Sequence, residues 1–554
     1  MRVAAWFAVA LCPASVLAAQ FIAHARRAMV VTREAHATDA ALAVLHSGGN
    51  AIDAAVTAGL VLAVTHPAAG NLGGGGFLLV RFADGRVHFV DFRERAPLAA
   101  GRDMYLDAEG KPTRDSLEGW RAAAVPGTVR GLELAHRKWG SRPWAELVEP
   151  AIRLAREGFP VSYGLARSLR QAKILEKFPE SRRIFQRDGR YYEPGEKLVQ
   201  PELARTLERI AREGSRDFYE GETARRLAAE MRAHGGLITL EDLRRYVAVE
   251  REPLRGSYRG WEILTAPPPS SGGVGLLQML GMLEGSGYES AGAGSAAAIH
   301  YAAEVMRRYY ADRSRWLGDP DFARIPVRGL LDPAYIAARR RTIDPDRATP
   351  SDALDPGKPP GSEASETTHF SIVDAQGHAV AVTYTLNGSY GCGVTVPGLG
   401  FLLNNEMDDF AVKPGVPNYY GLVQGEVNAI APSKRPLSSM TPTIVLRNGR
   451  LALVLGSPGG PRIISTVLQV FLNVADFGMD LWSAVVRPRF HHQWKPDQIV
   501  VEPGFSPDTL ALLRAKGHHI EVIRSIGEVA AIQVASGWLV GVADPRAEGK
   551  AAGF

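Results

Sequence analysis

The chain has 554 residues, a formal net charge of +5, 46% hydrophobic residues and 22% charged residues, which is typical of a globular protein. Its Lys and Arg residues are scattered among nearly as many acids, and the run at 339–341 has no interleaved aromatic residue, so a nucleic-acid-binding protein is not indicated. Beyond the N-terminus, no run approaches the roughly 18 apolar residues of a membrane span.

The first 19 residues have the pattern of a secretory signal peptide. Arg2 precedes an apolar stretch at 3–11, and small residues at 16–19 offer cleavage sites. We therefore expect an exported protein, periplasmic or secreted. Cys12 would leave with the signal, so that Cys392 would stand alone and no intrachain disulfide would form. The loop around Cys392 contains no evident base, which argues against a catalytic thiol.

The region up to about residue 340 is predicted to be mostly helical. Apolar residues at helical spacing predict helices at 38–46, 50–64, 128–137, 143–157, 201–234 with a break near Gly214, and 296–312. A glycine-rich run at 70–76 leads into two alternating segments joined by Asp84-Gly85, which predicts a hairpin. The glycines permit close backbone approach, but no strand precedes them and no helix follows, so a dinucleotide site is not favoured.

Strands dominate the remainder. Two more hairpins are predicted, one from T-H-F-S-I-V-D and A-V-A-V-T-Y-T, the other around Asn448-Gly449. Short strands I-E-V-I, V-A-A-I-Q-V-A and W-L-V-G-V-A follow near the C-terminus. Antiparallel hairpins flanked by helices indicate an α+β fold with stacked sheets and helices outside.

An abrupt change of composition occurs at Thr367. Residues 344–366 are rich in Pro, Gly, Ser and acids, which predicts a flexible, solvated linker. If the chain were cut after Glu366, Thr367 would carry a hydroxyl and an α-amine of pKa about 7.7–8.0, a nucleophile with its own base. The alternative is an ordinary linker followed by an edge strand, since Thr commonly opens strands.

A second candidate feature is the strand–G-S-P-G-G–helix junction at 456–462. Unpaired N–H groups at a helix start can stabilise an oxyanion. The Gly-Lys-Ser/Thr ending of a nucleotide loop is missing, which argues against phosphate, and a tight turn that needs glycine is the structural alternative.

Three more clusters carry polar chemistry. The run L-N-N-E-M-D-D-F at 403–410 suits an ammonium group or a metal, although a solvated acidic turn is the simpler interpretation and the spacing is not that of a calcium loop. Arg93 could bind a carboxylate through two N–H groups, or form a surface ion pair. Ser438 and Ser439 precede a hairpin. Together these groups would describe an α-amino acid whose side-chain carbonyl is attacked.

The sequence also resembles one family along nearly all of the mature chain. The run T-T-H-F-S, with T-Y-T-L-N after it, is similar to the signature of γ-glutamyltranspeptidases, also called glutathione hydrolases. The resemblance continues through G-N-L-G-G-G-G-F, D-F-R-E-R-A-P, L-L-N-N-E-M-D-D-F, K-R-P-L-S-S-M-T-P-T-I, G-S-P-G-G-P-R-I-I and P-R-F-H-H-Q-W. It implies a four-layer αββα sandwich of the N-terminal-nucleophile hydrolase type.

The resemblance implies that the precursor cuts itself between Glu366 and Thr367. The products would be a large subunit (20–366, ending in the linker 344–366) and a small catalytic subunit (367–554), intertwined in one domain. Thr367 would be the nucleophile of both reactions, Thr385 would assist it, and Gly459 and Gly460 would form the oxyanion hole.

The same resemblance implies a pocket for the γ-glutamyl group. Its members would be Arg93, Ser438 and Ser439 for the α-carboxylate, Asn387, Glu406 and Asp409 for the α-amine, and Tyr420 on a lid at 414–440. Glu406 stands where several bacterial members have Gln, and Asp409 is an acid that related cephalosporin acylases tend to lose. We therefore expect γ-glutamyl substrates.

The implied reaction uses no cofactor and no metal. Glutathione or another γ-glutamyl compound would acylate Thr367, and water or an amino acid or dipeptide acceptor would take the γ-glutamyl group. Two alternatives stay open at this point: an acylase of the glutaryl-cephalosporin type with the same architecture, and an exported γ-glutamyl-peptide binding protein that never matures.

Overall fold

The computed structural model describes residues 21–359 and 369–554. Strands occur in both halves of the chain. In chain order they are β1 (Ile22–Ala25), β2 (Met29–Thr32), β3 (Gly75–Arg81), β4 (Val87–Phe92), β5 (Phe159–Pro160), β6 (Gln186–Arg187), β7 (Arg190–Tyr191), β8 (Lys197–Leu198), β9 (Val249–Arg251), β10 (Leu254–Tyr258), β11 (Trp261–Thr265), β12 (His369–Val373), β13 (Ala379–Thr385), β14 (Thr443–Arg447), β15 (Arg450–Gly456), β16 (Phe490–His491), β17 (Ile499–Val501), β18 (Ile520–Val522), β19 (Ala530–Ala535), β20 (Trp538–Ala543) and β21 (Lys550–Gly553).

Helices lie mainly in the first part of the chain. They are α1 (Ala35–His46), α2 (Ala51–Thr65), α3 (Thr128–Trp139), α4 (Trp144–Glu157), α5 (Tyr163–Gln171), α6 (Pro179–Phe185), α7 (Pro201–Glu213), α8 (Ser215–Tyr219), α9 (Glu222–Ala233), α10 (Leu240–Arg245), α11 (Gly272–Leu283), α12 (Ala296–Trp316), α13 (Val327–Leu330), α14 (Pro333–Arg341), α15 (Arg462–Ala475), α16 (Leu481–Val486) and α17 (Pro507–Ala515).

Two seven-stranded sheets form the centre of the molecule. Their strand orders are β1-β20-β19-β15-β14-β11-β10 and β21-β2-β12-β13-β3-β4-β9, and all the pairings within them are antiparallel. Each sheet contains strands from before residue 359 and strands from after residue 369. The two parts of the chain are therefore intertwined, and neither part could form either sheet alone.

Side chains on alternate strand positions separate the layers. Phe77 and Leu79 point into a core between the two sheets, whereas Leu78 and Val80 pack under α1, α2 and α3 on the outer face. On the other sheet, Val454 faces the same inner core while Leu453 packs against the α11, α12 and α15 layer. Both faces of each sheet are thus buried, and the arrangement is the predicted αββα sandwich.

The predicted hairpins are all present, as β3–β4, β12–β13 and β14–β15. The predicted break at Gly214 is also confirmed, since this residue has φ 65° and separates α7 from α8. A second break, between α8 and α9, was not predicted. Close backbone approach explains the glycine run, because a Cβ on Gly74 would lie 1.9 Å from the carbonyl oxygen of Thr385.

The segment that precedes the expected cleavage site differs from a solvated linker over its described part, 344–359. His300 hydrogen-bonds the carbonyl oxygen of Asp344 at 2.8 Å, and the N–H of Ala348 donates to the carbonyl oxygen of Lys516 at 2.7 Å. The N–H of Ser351 donates to Asp497 at 2.7 Å. Composition did not predict this fixation, because it depends on His300, 44 residues earlier, and on Lys516 and Asp497, more than a hundred residues later in the second part of the chain.

The His300 side chain also reaches the second part directly. Its Nδ1 lies 2.7 Å from Nε2 of His518, and with Glu304 the two histidines have the spacing of a metal-ligand set. Arg307 and Arg308 bind the Glu304 carboxylate, so this acid already has two cationic partners. The group therefore acts as a structural hydrogen-bond network at the base of the 344–359 segment.

Cys392 is buried, and burial raises the pKa of its thiol to about 12, as expected of an unreactive cysteine. Over residues 21–359 and 369–554, no helix combines the length and apolar character needed to cross a membrane.

Candidate active site

The expected nucleophile, Thr367, and its neighbour Glu366 lie outside the described residues. The description resumes at His369, the first residue of β12. Its ring bridges Thr383 (Nδ1 to Oγ1, 2.9 Å) and Ser371 (Nε2 to Oγ, 2.9 Å), and it packs where a Cβ on Gly456 would be. Burial lowers the pKa of His369 to about 3, so this ring is neutral and positions the start of the strand.

Thr385 ends the neighbouring strand, β13, opposite Gly75. Its hydroxyl oxygen accepts a hydrogen bond from the N–H of Asn387 at 2.8 Å, and its carbonyl oxygen accepts one from Asn71 at 2.8 Å. Both bonds fix the side chain at the edge of a large cleft. Asn387 has a positive φ of 70°, a conformation that Asn tolerates better than most residues.

The glycines of the G-S-P-G-G junction lie in the same cleft. Gly459 and Gly460 have φ values of 130° and 63°, in the region that favours glycine, and α15 begins two residues later. Within the described residues, neither of their N–H groups donates to an acceptor. Two unpaired N–H groups beside the cleft are compatible with the oxyanion prediction, and the positive φ values show that the turn also requires glycine.

Arg93 lies at the end of β4 and is completely buried. Its Nη2 lies 2.5 Å from Asp409 Oδ2, and its Nη1 binds Glu406 and, at 3.3 Å, Glu94. The remaining N–H groups donate to the carbonyl oxygens of residues 436 and 437, each at 3.1 Å. From the sequence, Arg93 was expected to bind the substrate α-carboxylate, and Glu406 and Asp409 the α-amine. In the structure all three side chains lie in one cluster.

This cluster of one guanidinium and three carboxylates has an excess of negative charge. Burial raises the pKa of Glu94 to about 7 and raises the pKa values of Glu406 and Asp409 as well, although Arg93 opposes the effect. Burial would lower the pKa of Arg93, but Glu406, Glu94 and Asp409 raise it above its ordinary value. The cluster therefore suits a second cation, or a proton in its place.

Three acceptor atoms around the cluster are buried without a hydrogen-bond partner among the described residues. They are Glu94 Oε1, Asn387 Oδ1 and Glu406 Oε2. Because a buried acceptor without a donor is costly, these atoms indicate a ligand with several N–H groups. Asp408 of the acidic run is not part of the cluster, because it accepts hydrogen bonds from the Ser116 hydroxyl and from the N–H of Tyr419. Glu94 is the third carboxylate of the cluster instead.

Ser438 and Ser439 are buried beside this cluster, in the segment that also supplies carbonyl groups to Arg93. The hydroxyl of Ser439 lies 3.4 Å from Nη2 of Arg313, a buried residue of α12. Burial raises the pKa of Asp409, and the charge of Arg313 is among the effects that oppose this rise, so the guanidinium lies near the acids too.

The segment 414–440 covers the site. Tyr420 donates its hydroxyl proton to the carbonyl oxygen of Asn387 at 2.8 Å, and Gln493 donates to the carbonyl oxygen of Tyr420 at 3.1 Å. The side chains of Gln424 and Asn428 hold the carbonyl oxygen of Asp409 from the same segment. The segment expected to form the lid thus contacts Asn387 and Asp409, two residues of the expected pocket.

A cleft of about 1000 Å³ opens in front of these groups. Thr385, Asn387, Tyr420, Gly459 and Gly460 line it. The charge cluster lies behind the cleft and does not line it. The site therefore has a buried end that suits a charged head group and an open end for a larger substituent.

Sequence reasoning missed two residues of the site. Glu94 adjoins Arg93 in the quoted D-F-R-E-R-A-P motif, and a charged neighbour in a buried strand end could have identified it. Arg313 occupies a polar position within an amphipathic helix pattern, where an exposed residue is the ordinary expectation, so no local signal distinguishes it.

Comparison with known proteins agrees with this geometry. A family model described as γ-glutamyltranspeptidase matches residues 37–554. The "Glutathione hydrolase proenzyme" of Escherichia coli (strain K12) is 49% identical over 526 residues, which cover 94% of this chain and 91% of that protein.

Two solved structures extend the similarity to the fold. A cephalosporin acylase from Bacillus halodurans superposes with a TM-score of 0.87 at 28% identity, covering 99% of both chains. A γ-glutamyltranspeptidase from Helicobacter pylori has a TM-score of 0.58 at 43% identity, covering 59% of this chain and 94% of that one. With the family model matching almost the whole described chain and a relative at 49% identity, the protein belongs to the γ-glutamyltranspeptidase family.

Proposed function

We propose that this enzyme is a γ-glutamyltransferase and glutathione hydrolase that cleaves itself before Thr367. It takes the γ-glutamyl group from glutathione or another γ-glutamyl amide and passes it to water or to the amine of an amino acid or dipeptide. The observation that carries this proposal is the buried cluster of Arg93, Glu94, Glu406 and Asp409, whose excess negative charge matches an α-ammonium group.

The proposed chemistry begins with Thr367 as a new N-terminus. The amine of Thr367 takes the hydroxyl proton as the oxygen attacks the γ-carbonyl carbon. The N–H groups of Gly459 and Gly460 stabilise the oxyanion, and the proton passes to the departing amide nitrogen. Cysteinylglycine leaves from glutathione, and a γ-glutamyl ester on Thr367 remains. Attack by water or an amine on this ester reverses the sequence and frees the enzyme.

The β12–β13 register supports Thr385 as the assisting residue. His369 pairs with Thr383 in this antiparallel ladder. Thr385 ends β13 two residues beyond this pair, and its hydroxyl is already oriented by the N–H of Asn387. A threonine there can hydrogen-bond the nucleophile without titrating in the working pH range.

Self-cleavage would give subunits of 20–366 and 367–554 that cannot separate without breaking both sheets. β2, β3 and β4 from the first part pair in one sheet with β12, β13 and β21 from the second part. The mature protein is therefore a heterodimer made from one precursor. We also infer export to the periplasm or beyond from the signal pattern at 1–19, which N-terminal sequencing of the large subunit tests: its first residue should lie near Gln20.

Three anilide substrates separate this function from acylase activity. The γ-glutamyl anilide has both charged α-substituents, the glutaryl anilide lacks the ammonium, and the 4-aminobutyryl anilide lacks the α-carboxylate. We expect kcat/KM for the γ-glutamyl compound to exceed that for the glutaryl compound by about 100-fold, since a desolvated charge pair contributes about 2–3 kcal/mol. Equal or better turnover of the glutaryl compound would identify an acylase instead.

A further inference from the structure

We propose that Trp494 is a positioning residue for the lid at 414–440, and that residues 344–359, here called the strap, hold Trp494 in place. The strap lies before the expected cut, whereas Trp494 and the lid lie after it. The inference rests on the proposed function in one respect, namely that the lid covers the pocket for the γ-glutamyl group. It adds a physical connection between the two parts of the chain that the sequence motifs do not show.

The backbone at Trp494 is strained. Its φ is 66°, a value that bulky residues rarely adopt, and the N–H of Lys495 donates to the carbonyl oxygen of Gln493 at 2.8 Å. This hydrogen bond across a residue of positive φ defines the rarer, strained form of the γ-turn. Such a backbone persists only where the surrounding structure holds it, and it occurs often at functional sites. The contacts that hold Trp494 therefore bear on function.

The strap supplies the contact that holds this γ-turn from one side. The indole N–H of Trp494 donates to the carbonyl oxygen of Ser351 at 2.9 Å. Ser351 is itself fixed, because its N–H donates to Asp497 at 2.7 Å and its hydroxyl accepts a hydrogen bond from Arg307 at 2.6 Å. Both Ser351 and Arg307 are buried, so water does not compete for these bonds. The strap therefore presents a fixed acceptor to the residue at the centre of the turn.

The other side of the γ-turn contacts the lid. Nε2 of Gln493 donates to the carbonyl oxygen of Tyr420 at 3.1 Å, and Oε1 of Gln493 lies 3.0 Å from Nε2 of His491. A Cβ on Gly421 would meet the same Gln493 nitrogen at 3.4 Å. Tyr420 in turn donates its hydroxyl proton to the carbonyl oxygen of Asn387 in the cleft. The γ-turn thus fixes the side chain against which the lid lies.

These contacts form one sequence from the strap to the lid. Release of the indole from Ser351 would let the strained φ of Trp494 relax, and the neighbouring Gln493 would be reoriented. The bond from Gln493 to Tyr420 would then weaken, although no residue of the lid had changed. Loss of one hydrogen bond of this kind raises the population of an open state about 2–10-fold. The strap therefore stabilises the closed lid from outside the pocket.

The test uses Trp494→Phe, which keeps an aromatic ring and removes the indole N–H. In the mature enzyme without ligand, hydrogen exchange should become about 2–10-fold faster in residues 414–424 and in residues 349–353. KM for the γ-glutamyl anilide should rise by a similar factor while kcat changes less, because the lid retains the substrate and takes no part in bond breaking. Lid exchange equal to that of the wild type would overturn the proposal.

Gln493→Ala tests the order of the contacts. On its own it should speed exchange in the lid, because the donor to the carbonyl oxygen of Tyr420 is removed. Adding Trp494→Phe to it should speed lid exchange no further, since the two substitutions interrupt the same connection. Additive effects would show that Trp494 acts on the lid by another route, and the positioning role would be wrong.

Trp316 is the matched control, because its indole N–H also donates to a carbonyl oxygen of the strap, that of Gly357, at 2.7 Å. This bond is made at the far end of the strap and not at Ser351. Trp316→Phe should speed exchange near residue 357 and leave lid exchange and KM unchanged. The same acceleration of lid exchange in Trp316→Phe and Trp494→Phe would contradict a specific role for the γ-turn.

Ligand binding gives a readout that a merely structural tryptophan would not change. If the strap stabilises the closed lid, closure of the lid over L-glutamate must stabilise the strap by the same factor. Saturating L-glutamate should therefore slow exchange in residues 349–353 of the wild type but not of Trp494→Phe. Equal protection in the two proteins would contradict the proposal. Failure of the proposed function would look different, because the wild type would turn over no γ-glutamyl anilide while its lid exchange still responded to Trp494→Phe.

Discussion

Nη2 of Arg93 and Oδ2 of Asp409 lie 2.5 Å apart, with both side chains buried. Glu406 and Glu94 share the other terminal nitrogen of the same guanidinium, so one positive charge is set against three acids. Burial raises the pKa of Glu94 to about 7, and the pKa values of Glu406 and Asp409 are raised for the same reason. Near neutral pH the cluster therefore shares a proton, which the ammonium group of a bound γ-glutamyl substrate would replace.

This relationship predicts the pH dependence of ligand binding. Below pH 7 the proton must be expelled before an ammonium can bind, so the affinity for L-glutamate should rise as the pH increases through about 7 and then level off. Calorimetry in two buffers of different ionisation enthalpy would detect the released proton at pH 6. Glu94→Gln should flatten the profile. An affinity that falls over this range would contradict the account.

A lid prediction follows from the hydrogen bond between Tyr420 and the carbonyl oxygen of Asn387. Tyr420→Phe removes a bond of about 0.5–1.5 kcal/mol, so the open lid should become roughly 2–10 times more populated. Hydrogen exchange in residues 414–424 should speed up accordingly. Tyr419→Phe is the control, because this neighbour is 60% exposed, so that removal of its hydroxyl should cost little. Equal exchange in both variants would show that the hydroxyl does not fasten the lid.

The oxyanion prediction uses two glycines with positive φ. Gly459→Ala strains the turn at φ 130° and displaces the N–H groups, so kcat should fall about 10²–10³-fold with a smaller effect on KM. Gly449→Ala makes the same kind of change at φ 72° in the β14–β15 hairpin, where a Cβ would meet nothing within 4 Å. That control should lose stability and keep its kcat. Comparable kcat in the two variants would remove these N–H groups from the mechanism.

The hydrogen bonds that hold residues 344–359 predict slow tryptic cleavage of this segment in the mature protein. Asp497 binds the N–H of Ser351 and the side chain of Arg307, so Asp497→Asn should loosen this segment and speed tryptic cleavage at Arg347. Lys495→Ala breaks an exposed ion pair with Asp352 and a cation–π contact with the Trp494 ring, but keeps the Asp497 contacts, and should change the cleavage rate far less. The rates are compared on mature protein, where the segment is expected to stay bound. Rapid cleavage at Arg347 in the wild type would contradict that expectation.

Local pattern was enough to predict the three hairpins and several of the longer helices. The alternation in β3, β4 and β12–β15 and the apolar character of α2 are short-range patterns that the sequence shows directly. The glycines at 73–76 likewise indicate that another part of the backbone approaches closely, although they do not identify it. The shared role of Arg93, Glu406 and Asp409 could be inferred only by considering them together, because Arg93 lies more than three hundred residues before the two acids in the chain.

What local pattern could not predict depends on burial and distant partners. A composition rich in Pro and acids indicates a solvated linker, yet Asp497, Lys516 and His300 hold its first part. Arg313 looks like any polar residue of an amphipathic helix until its missing partners are known. The acidic run at 406–409 does not show that Asp408 turns away and that Glu94 replaces it.

The central claim is that Thr367 becomes an N-terminus and then serves as the nucleophile. Intact mass measurement of the purified native protein tests it most directly, with Thr367→Ala prepared in parallel. The wild type should give two polypeptides, the smaller one spanning 367–554 and acylated by a γ-glutamyl affinity label, and the variant should give a single inactive chain. A single uncut chain that hydrolyses γ-glutamyl anilides, or normal cleavage in the variant, would contradict it.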